Sequence, residues 1–430
     1  MSEAGLAVPG GDLSEARIVG VAELARGELP AIGDVVAANA TAIARAAGDA
    51  GLPVGQVDTV LTYDSLVSPH PMQATRVCEY LGIVPRYAST IGAGGASPLF
   101  ALILAASLVQ CGQAEVVAVA HSDLRRTAAS SGSVIKQMAA MVGNPEFEAP
   151  LGLMVPALYS LLADLLLSRG DADAADLAEI AVQARKWAAL NANAHRRDPL
   201  TVADVLAAPR IAGPLGKLDC CLVTDFSGAL IVRAAGVAGR PGRPAVALAA
   251  AGGAVSHEEL GQLPGDPLDP LRRTADELYQ RAGLSEADID AAYLYDSFTI
   301  TVAAQLLAYR LDRGKGLHHL LGTGQAGHGG AGEPAAPTGA AGTGPGGTLP
   351  VNTHGGLLSS STSGIFHLIE AVRQLRGKAG ERQLRDVRRV LVTGIGGVLS
   401  HNSAVILTGP GPGLDPEDDA RIASRDRERP

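Results

Sequence analysis

The stretch AGLPVGQVDTVLTYDSL, residues 50–66, returns as AGLSEADIDAAYLYDSF, residues 282–298. The two copies are related by a constant offset of 232 residues without a gap, which makes chance similarity a poor explanation. We therefore predict an internal repeat. In each copy a helix ends at an Ala-Gly-Leu cap and a strand closes on Tyr-Asp-Ser, which predicts two homologous α/β halves.

A glycine pair also occurs once in each half. Gly94-Gly95 precedes an apolar helix and a strand at 116–120, and Gly355-Gly356 precedes an amphipathic helix and a strand that starts at Val390. Glycine pairs that open a helix let backbone amides approach a ligand and aim the helix N-terminus at an oxyanion. The alternative is two ordinary turn–helix–strand units. Because the pair is duplicated, we predict that both turns face a site.

Composition excludes several classes of function. The 430 residues carry a net charge of −9, and the 35 Lys and Arg residues form no basic run, so nucleic-acid binding is not expected. The longest apolar stretch, 151–167, is interrupted by Pro156 and Asp164. That stretch predicts a buried or dimer-facing helix and no association with a membrane.

The N-terminus has neither the basic nor the apolar region of a signal peptide. The four cysteines show no metal-ligand spacing, so we expect reduced thiols, no metal site and a cytoplasmic location. They are Cys78, Cys111, Cys220 and Cys221.

The chain divides by composition into ordered halves and polar connections. We predict a flexible N-terminus at 1–16, an N-terminal half at 17–235 with an insertion at about 121–215, and a linker at 236–244. The C-terminal half then spans 245–410, with a Gly/Ala/Pro-rich loop at 321–349, and a disordered tail follows at 411–430.

Five stretches resemble the thiolase superfamily, specifically its sterol-carrier-protein-like (lipid-transfer-protein) branch. They are RRDPLTVADVLAAPRIAGPLGKLDCCLVTDFSGALIV (196–232), YDSFTITVAAQL (295–306), PVNTHGG (350–356), EAVRQLRGKAGERQ (370–383) and GIGGVLSHNSAVIL (394–407). The resemblance implies two homologous α/β halves in a five-layered α-β-α-β-α core. It also implies a homodimer that acts on acyl-CoA thioesters and forms or breaks carbon–carbon bonds.

The chemistry of thiolases is missing from these stretches. The position of the nucleophilic cysteine reads Gly95, and the run that replaces the Gly-His-Pro motif, residues 359–364, contains no histidine. The C-terminal Cys-x-Gly motif falls on Thr393-Gly394-Ile395-Gly396. A covalent acyl-enzyme is therefore not expected.

The resemblance extends to thiolase-like aldolases of steroid side-chain degradation, which lack the cysteine. Such enzymes cleave a β-hydroxyacyl-CoA by retro-aldol chemistry together with a small OB-fold, zinc-ribbon partner. Their Tyr-Asp-x-Phe-Thr motif places a functional tyrosine at Tyr295, whereas their second tyrosine, after Gly-Gly-x-Leu-Ser, has no counterpart here. We expect aldol-type chemistry on a CoA- or carrier-bound acyl group in lipid, steroid or secondary metabolism. Coenzyme A would enter as part of the substrate, with no tightly bound cofactor.

Candidate site residues follow from the turns and the resemblance. The catalytic candidates are Tyr295, His401, His354 and Asn352, and no metal ligand is expected. The substrate-binding candidates are Gly95, Ser97, Gly355, Gly356, Ser359, Asp296, Gly396 and Gly397.

Each candidate also has a structural interpretation. Tyr295 and Asp296 repeat Tyr63 and Asp64, Asn352 suits a turn, and Ser359 suits a helix cap. His121, Arg125 and Arg126 fall in the predicted insertion, where arginines contact CoA phosphates or solvent. Two other functions stay open: a catalytically inactive homologue that serves as a binding or scaffold subunit, and acyl transfer from Ser97.

Overall fold

The computed structural model describes residues 13–128, 144, 146–147, 150, 154–235, 242–321 and 349–409. Most of the predicted linker, nearly all of the Gly/Ala/Pro-rich loop and the predicted tail lie outside the described residues. A 3-10 helix, Leu13–Glu15, lies within the stretch predicted as a flexible N-terminus.

One mixed sheet of nine strands runs through the molecule, in the order β3-β2-β4-β7-β1-β8-β11-β10-β9. Its strands are β1 (Ala16–Glu23), β2 (Thr59–Tyr63), β3 (Tyr87–Ile91), β4 (Val116–Leu124), β7 (Asp225–Ala234), β8 (Val246–Val255), β9 (Ala291–Tyr293), β10 (Arg389–Gly396) and β11 (His401–Thr408). Two short strands, β5 (Arg210–Ala212) and β6 (Leu215–Gly216), form a separate hairpin.

The sheet is built symmetrically about its centre. β1 pairs with β8 through Ile18 and Val246, and each half continues outward in the same way, by β7 and β4 on one side and β11 and β10 on the other. In the first half, β3 pairs with β2 in parallel. At the corresponding place in the second half, Ala292 of β9 forms a parallel bridge with Val351. The predicted duplication of the fold is thus confirmed strand by strand.

Twelve helices accompany the strands in the described part of the chain. They are α1 (Leu29–Ile32), α2 (Val35–Ala50), α3 (Gln73–Leu81), α4 (Ser97–Gln110), α5 (Arg125–Ala128), α6 (Val155–Arg169), α7 (Ala174–Ala189), α8 (Val202–Leu206), α9 (Asp269–Ala282), α10 (Thr299–Ala308), α11 (Leu317–Leu321) and α12 (Ile365–Leu375). None of these helices is long and apolar enough to cross a bilayer.

The repeated Ala-Gly-Leu caps have the predicted geometry. α2 ends at Gly51 with φ of 74°, and α9 ends at Gly283 with φ of 63°. Both values lie in the left-handed region, which glycine adopts without the steric penalty of a Cβ. In each half a short 3-10 turn then leads into the next strand, β2 or β9.

Three large apolar clusters fill the space between the helices and the strands. The strands of the two halves form two β layers, and helices lie between these layers and on both outer faces. The helices α4 and α12 lie in the middle, where Leu102 and Leu368 pack among strand residues of both halves. α2 and α3 cover the outer face of the first half, and α9 and α10 cover that of the second. The structure therefore has the expected α-β-α-β-α architecture.

The insertion packs on the second half through two helices. α6 buries Leu158, Leu162 and Leu166, whereas Leu161 is 52% exposed, so the apolar stretch forms a helix with one buried face. α7 is buried along most of its length, including Trp187. These helices bring the insertion against the second glycine turn.

Candidate active site

The first glycine turn meets the end of β10. A methyl group added at Gly94 would lie 3.0 Å from the Cα of Gly396, and one added at Gly396 would overlap the carbonyl oxygen of Ala93. Side chains at these positions would separate the two backbones. The structure thus brings Gly95 and Gly396, predicted from opposite halves, into one site.

The ring of Tyr295 covers Gly95. A methyl group at Gly95 would overlap the phenol Cζ and hydroxyl oxygen of Tyr295, and also the carbonyl oxygen of Ile395. Gly364 lies on the same ring, since its added methyl would be 3.5 Å from the Tyr295 Cδ2. The phenol therefore occupies the space of any side chain at position 95.

The backbone of Tyr295 is fixed by three buried side chains, Thr393, Gln305 and Thr301. Its N–H donates to Thr393 Oγ1 at 3.1 Å and to Gln305 Oε1 at 3.2 Å, and its carbonyl accepts from Gln305 Nε2 at 2.8 Å. Thr301 Oγ1 also donates to this carbonyl, at 3.0 Å. These bonds connect the residue to β10 and α10, so the ring has a defined position over Gly95.

Burial raises the pKa of the Tyr295 hydroxyl well above its usual value, and the neighbouring Cys221, Tyr63 and Tyr159 act in the same direction. The phenol is therefore neutral at physiological pH. Burial likewise raises the pKa of the Cys221 thiol to about 12, so this thiol is not a nucleophile at neutral pH.

Tyr63, the repeat partner of Tyr295, lies on the same side of the molecule. Its ring centroid is 3.9 Å from that of His121. Burial raises the pKa of the Tyr63 hydroxyl, and the Arg125 charge acts in the opposite direction. Arg125 is 5% exposed and pairs with Asp123 at 2.9 Å. Arg125 is therefore buried and paired rather than open to solvent, whereas the neighbouring Arg126 is exposed.

The second glycine turn is fastened by Asp296. Its fully buried carboxylate accepts the N–H groups of Leu357 at 2.9 Å and Leu358 at 3.3 Å. A methyl group at Gly356 would overlap this carboxylate, and one at Gly355 would lie 2.6 Å from the Cβ of Ala188. Asp296, a predicted substrate-binding residue, is therefore hydrogen-bonded to the second glycine turn.

Residues after this turn form a π-helix, Gly356–Ser360, where the sequence suggested a helix cap. Ser359 Oγ accepts a hydrogen bond from Arg185 Nε at 2.9 Å, and Arg196 N–H donates to the Ser359 carbonyl. Ser359 is thus held both by the insertion and by the second glycine turn, because its own N–H donates to the Gly355 carbonyl at 3.1 Å.

Asn352 has the turn role that the sequence left open. Its φ is 49°, and its side-chain amide makes two bonds with the backbone of Leu294, at 2.9 Å through Oδ1 and 2.8 Å through Nδ2. Both of its polar side-chain atoms are engaged.

His354 is buried with both ring nitrogens unpartnered among the described residues. Its ring centroid lies 4.9 Å from that of His367, whose Nε2 is 3.0 Å from the carbonyl oxygen of Leu294. Burial and then His367 lower the pKa of His354 well below its usual value, so the ring is neutral.

Ser97 and His401 flank the first turn. Ser97 Oγ accepts the N–H of Ala93 at 2.7 Å and is 1% exposed. His401 opens β11 opposite Gly396, with Nδ1 2.9 Å from Ser400 Oγ and 3.9 Å from Glu258. Both candidates therefore border the turn, and His401 is partly open to solvent.

Tyr159 and His121 were not among the predicted site residues. The Tyr159 hydroxyl donates to the Gly397 carbonyl at 2.6 Å and so links the insertion to the glycine-rich end of β10. His121 was named from the sequence only as part of the predicted insertion, and nothing in the local sequence marks Tyr159.

One group of described residues has metal-ligand spacing: Asp173, Asp176 and His318. The two carboxylates cap α7, because each accepts the backbone N–H of the other residue. His318 Nδ1 lies 2.9 Å from Asp176 Oδ1. These contacts account for the cluster as a helix cap.

Comparisons with known proteins agree with this architecture. Residues 252–409 match the family model described as "Thiolase C-terminal domain-like". The chain is 30% identical over 373 residues to a "Steroid side-chain-cleaving aldolase" from Thermomonospora curvata, covering 83% of this chain and 89% of the relative. It is also 30% identical to a "17-hydroxy-3-oxo-4-pregnene-20-carboxyl-CoA lyase" from Mycobacterium tuberculosis, covering 84% and 91%.

Two solved structures share the fold. An "Ltp2-ChsH2(DUF35) aldolase" superposes with a TM-score of 0.75 at 26% identity, covering 93% of this chain and 99% of that one. A monomeric SCP2-thiolase-like protein from Mycobacterium smegmatis superposes with a TM-score of 0.67 at 18% identity, covering 98% and 83%. The chain belongs to the thiolase superfamily, in its sterol-carrier-protein-like branch.

Proposed function

We propose that this protein cleaves a β-hydroxyacyl-CoA by a retro-aldol reaction without a covalent acyl-enzyme. The observation that carries the proposal is the Tyr295 phenol, which fills the space where a nucleophilic side chain at position 95 would stand. The relatives named as an aldolase and as a CoA lyase support the same class of reaction.

The reaction needs a base and a donor. The β-hydroxyl loses its proton to the base, the bond between the α- and β-carbons breaks, and the β-carbon becomes a carbonyl. The electron pair passes to the thioester as an enolate, which then takes a proton at the α-carbon. Tyr295, which keeps its proton because burial raises its pKa, is our candidate for the donor of that proton. His401, beside the first glycine turn, is our candidate for the base.

Two alternatives receive less support. The relatives are named for catalytic activities, which gives no support to a scaffold subunit. Acyl transfer from Ser97 would need an accessible hydroxyl, whereas Ser97 Oγ is buried and accepts a backbone N–H.

The solved aldolase with a DUF35 component leads us to propose a similar partner, with the OB-fold and zinc ribbon expected from the sequence. The test combines purified protein with β-hydroxyacyl-CoA substrates, including 17-hydroxy-3-oxo-4-pregnene-20-carboxyl-CoA, with and without such a partner. We expect cleavage with the partner present. No turnover in any combination would contradict the proposed function.

We further propose a homodimer formed at the β3 edge of the sheet. β3 pairs with β2 on one side, and no strand in the described part of the chain pairs with it on the other. Apolar side chains near this edge are exposed, including Tyr80 at 64%, Val84 at 98% and Tyr87 at 43%. An open edge with exposed apolar side chains favours pairing with a second copy.

We expect analytical ultracentrifugation to give twice the chain mass of 43.7 kDa. The Tyr80→Glu/Val84→Glu variant should sediment as a monomer, because it places charge in the proposed interface. Leu206→Glu, at a residue 46% exposed elsewhere, serves as the matched control and should remain dimeric. A monomeric wild-type protein would contradict the proposed dimer.

A further inference from the structure

His121 has a buried ring nitrogen that the proposed mechanism does not use. The side chain lies on β4 and is 4% exposed. Nδ1 is 2.6 Å from Ser363 Oγ, whereas Nε2 is buried without a partner among the described residues. Leaving a buried polar group unpaired costs about 1–3 kcal/mol, so a hydrogen bond from a bound ligand to Nε2 would be favourable.

Hydrogen bonding at Ser363 assigns the proton of His121. Ser363 Oγ accepts the N–H of Ile365 at 3.3 Å and has one proton to donate. The acceptor within reach of that proton in the described part of the chain is His121 Nδ1. Burial and the Arg125 charge lower the pKa of His121 well below its usual value, so the ring is neutral. Its own proton is therefore on Nε2, which is a donor without an acceptor.

The ring belongs to the same site as Tyr295. It lies between Tyr63, at a centroid distance of 3.9 Å, and Phe226, at 4.6 Å. Ser363 immediately precedes Gly364, whose added methyl would be 3.4 Å from the Gly95 carbonyl oxygen and 3.5 Å from the Tyr295 ring. The residues that orient His121 thus also border the phenol.

We propose that the Nε2–H of His121 donates a hydrogen bond to the thioester carbonyl oxygen of the substrate and stabilises the enolate that forms as the carbon–carbon bond breaks. This role rests on the proposed function. The proton stays on Nε2 throughout, so His121 acts as a fixed donor toward the oxygen on which negative charge develops. Ser363 is then a positioning residue, because its hydroxyl sets the tautomer.

Two substitutions of His121 test whether the Nε2–H donor is required or only the ring as a whole. The amide of asparagine reaches the place of Nδ1, and that of glutamine reaches the place of Nε2. Loss of one oxyanion donor costs about 10²–10³ in kcat. We therefore expect His121→Asn to lower kcat by roughly 100-fold or more, and His121→Gln to stay within about tenfold of wild type. KM should change little, whereas the loss of a buried ring should lower the thermal midpoint of both variants. Equal kcat in His121→Asn and wild type would overturn the role.

A second measurement does not depend on turnover. In ¹⁵N-histidine NMR spectra of the wild-type protein, we expect His121 protonated at Nε2, with a shift of that resonance when propionyl-CoA is added and none with coenzyme A alone. Protonation at Nδ1, or the absence of a shift at millimolar propionyl-CoA, would overturn the inference. If wild type shows no cleavage, the proposed function fails, and the propionyl-CoA spectra still decide the role of His121 as a carbonyl donor.

Discussion

Replacing Tyr295 with phenylalanine should lower kcat for β-hydroxyacyl-CoA cleavage by about 10²–10⁴-fold, the range typical of losing a general acid. The substitution removes the hydroxyl but keeps the ring that covers Gly95, so the packing of the first glycine turn is preserved. Because the phenol donates only as the enolate is quenched, KM should change much less than kcat. Steady-state kinetics with the partner protein present measure both.

The matched control is Tyr279→Phe. That residue also has a buried hydroxyl, which donates to the Tyr309 carbonyl at 3.0 Å in the outer layer of the second half. The Tyr279→Phe variant should be somewhat less stable than wild type and should keep wild-type kcat. If Tyr295→Phe kept wild-type kcat, the phenol would have no part in the reaction.

Gly95→Ala should destabilise the fold and abolish cleavage. The new methyl would overlap the Tyr295 phenol and the carbonyl oxygen of Ile395, and overpacking of this kind costs about 1–3 kcal/mol. Displacement of the phenol removes the proposed proton donor. For the same reason, Gly95→Cys should not restore a thiolase nucleophile.

A double-mutant cycle in urea tests the contact itself. In a Tyr295→Ala background, Gly95→Ala should lower the free energy of unfolding by less than in wild type, because the overlap with the phenol disappears and only that with the Ile395 carbonyl remains. Gly48→Ala is the control, since its added methyl meets nothing within 4 Å and should stabilise α2 by about 0.5–1 kcal/mol. Additive effects of the two substitutions would contradict direct packing of the phenol on Gly95.

The duplicated fold was predictable because its signals are local. The Ala-Gly-Leu caps and the strand after each one depend on residues close in sequence, and both copies appear as predicted. The two glycine turns were also predictable as close backbone approaches, since Gly396 and Gly356 leave no space for a side chain.

The partners of these turns were not predictable, because they come from distant parts of the chain. Position 95 gives no indication that the ring of residue 295 covers it. His121 and Ser363 are 242 residues apart and meet only through the packing of the two halves. Asp296 is a further example. A carboxylate there predicted a substrate-binding residue, but in the structure it accepts the N–H groups of Leu357 and Leu358 in the second glycine turn.

Non-covalent carbon–carbon cleavage differs from thiolysis in its products and in the mass of the protein during turnover. Both are measured on wild-type protein mixed with a β-hydroxyacyl-CoA and the proposed DUF35-type partner, without added coenzyme A. We expect one carbonyl compound and one shorter acyl-CoA per substrate, with an unmodified protein mass. A requirement for free coenzyme A, together with an acyl adduct on the protein, would contradict non-covalent cleavage.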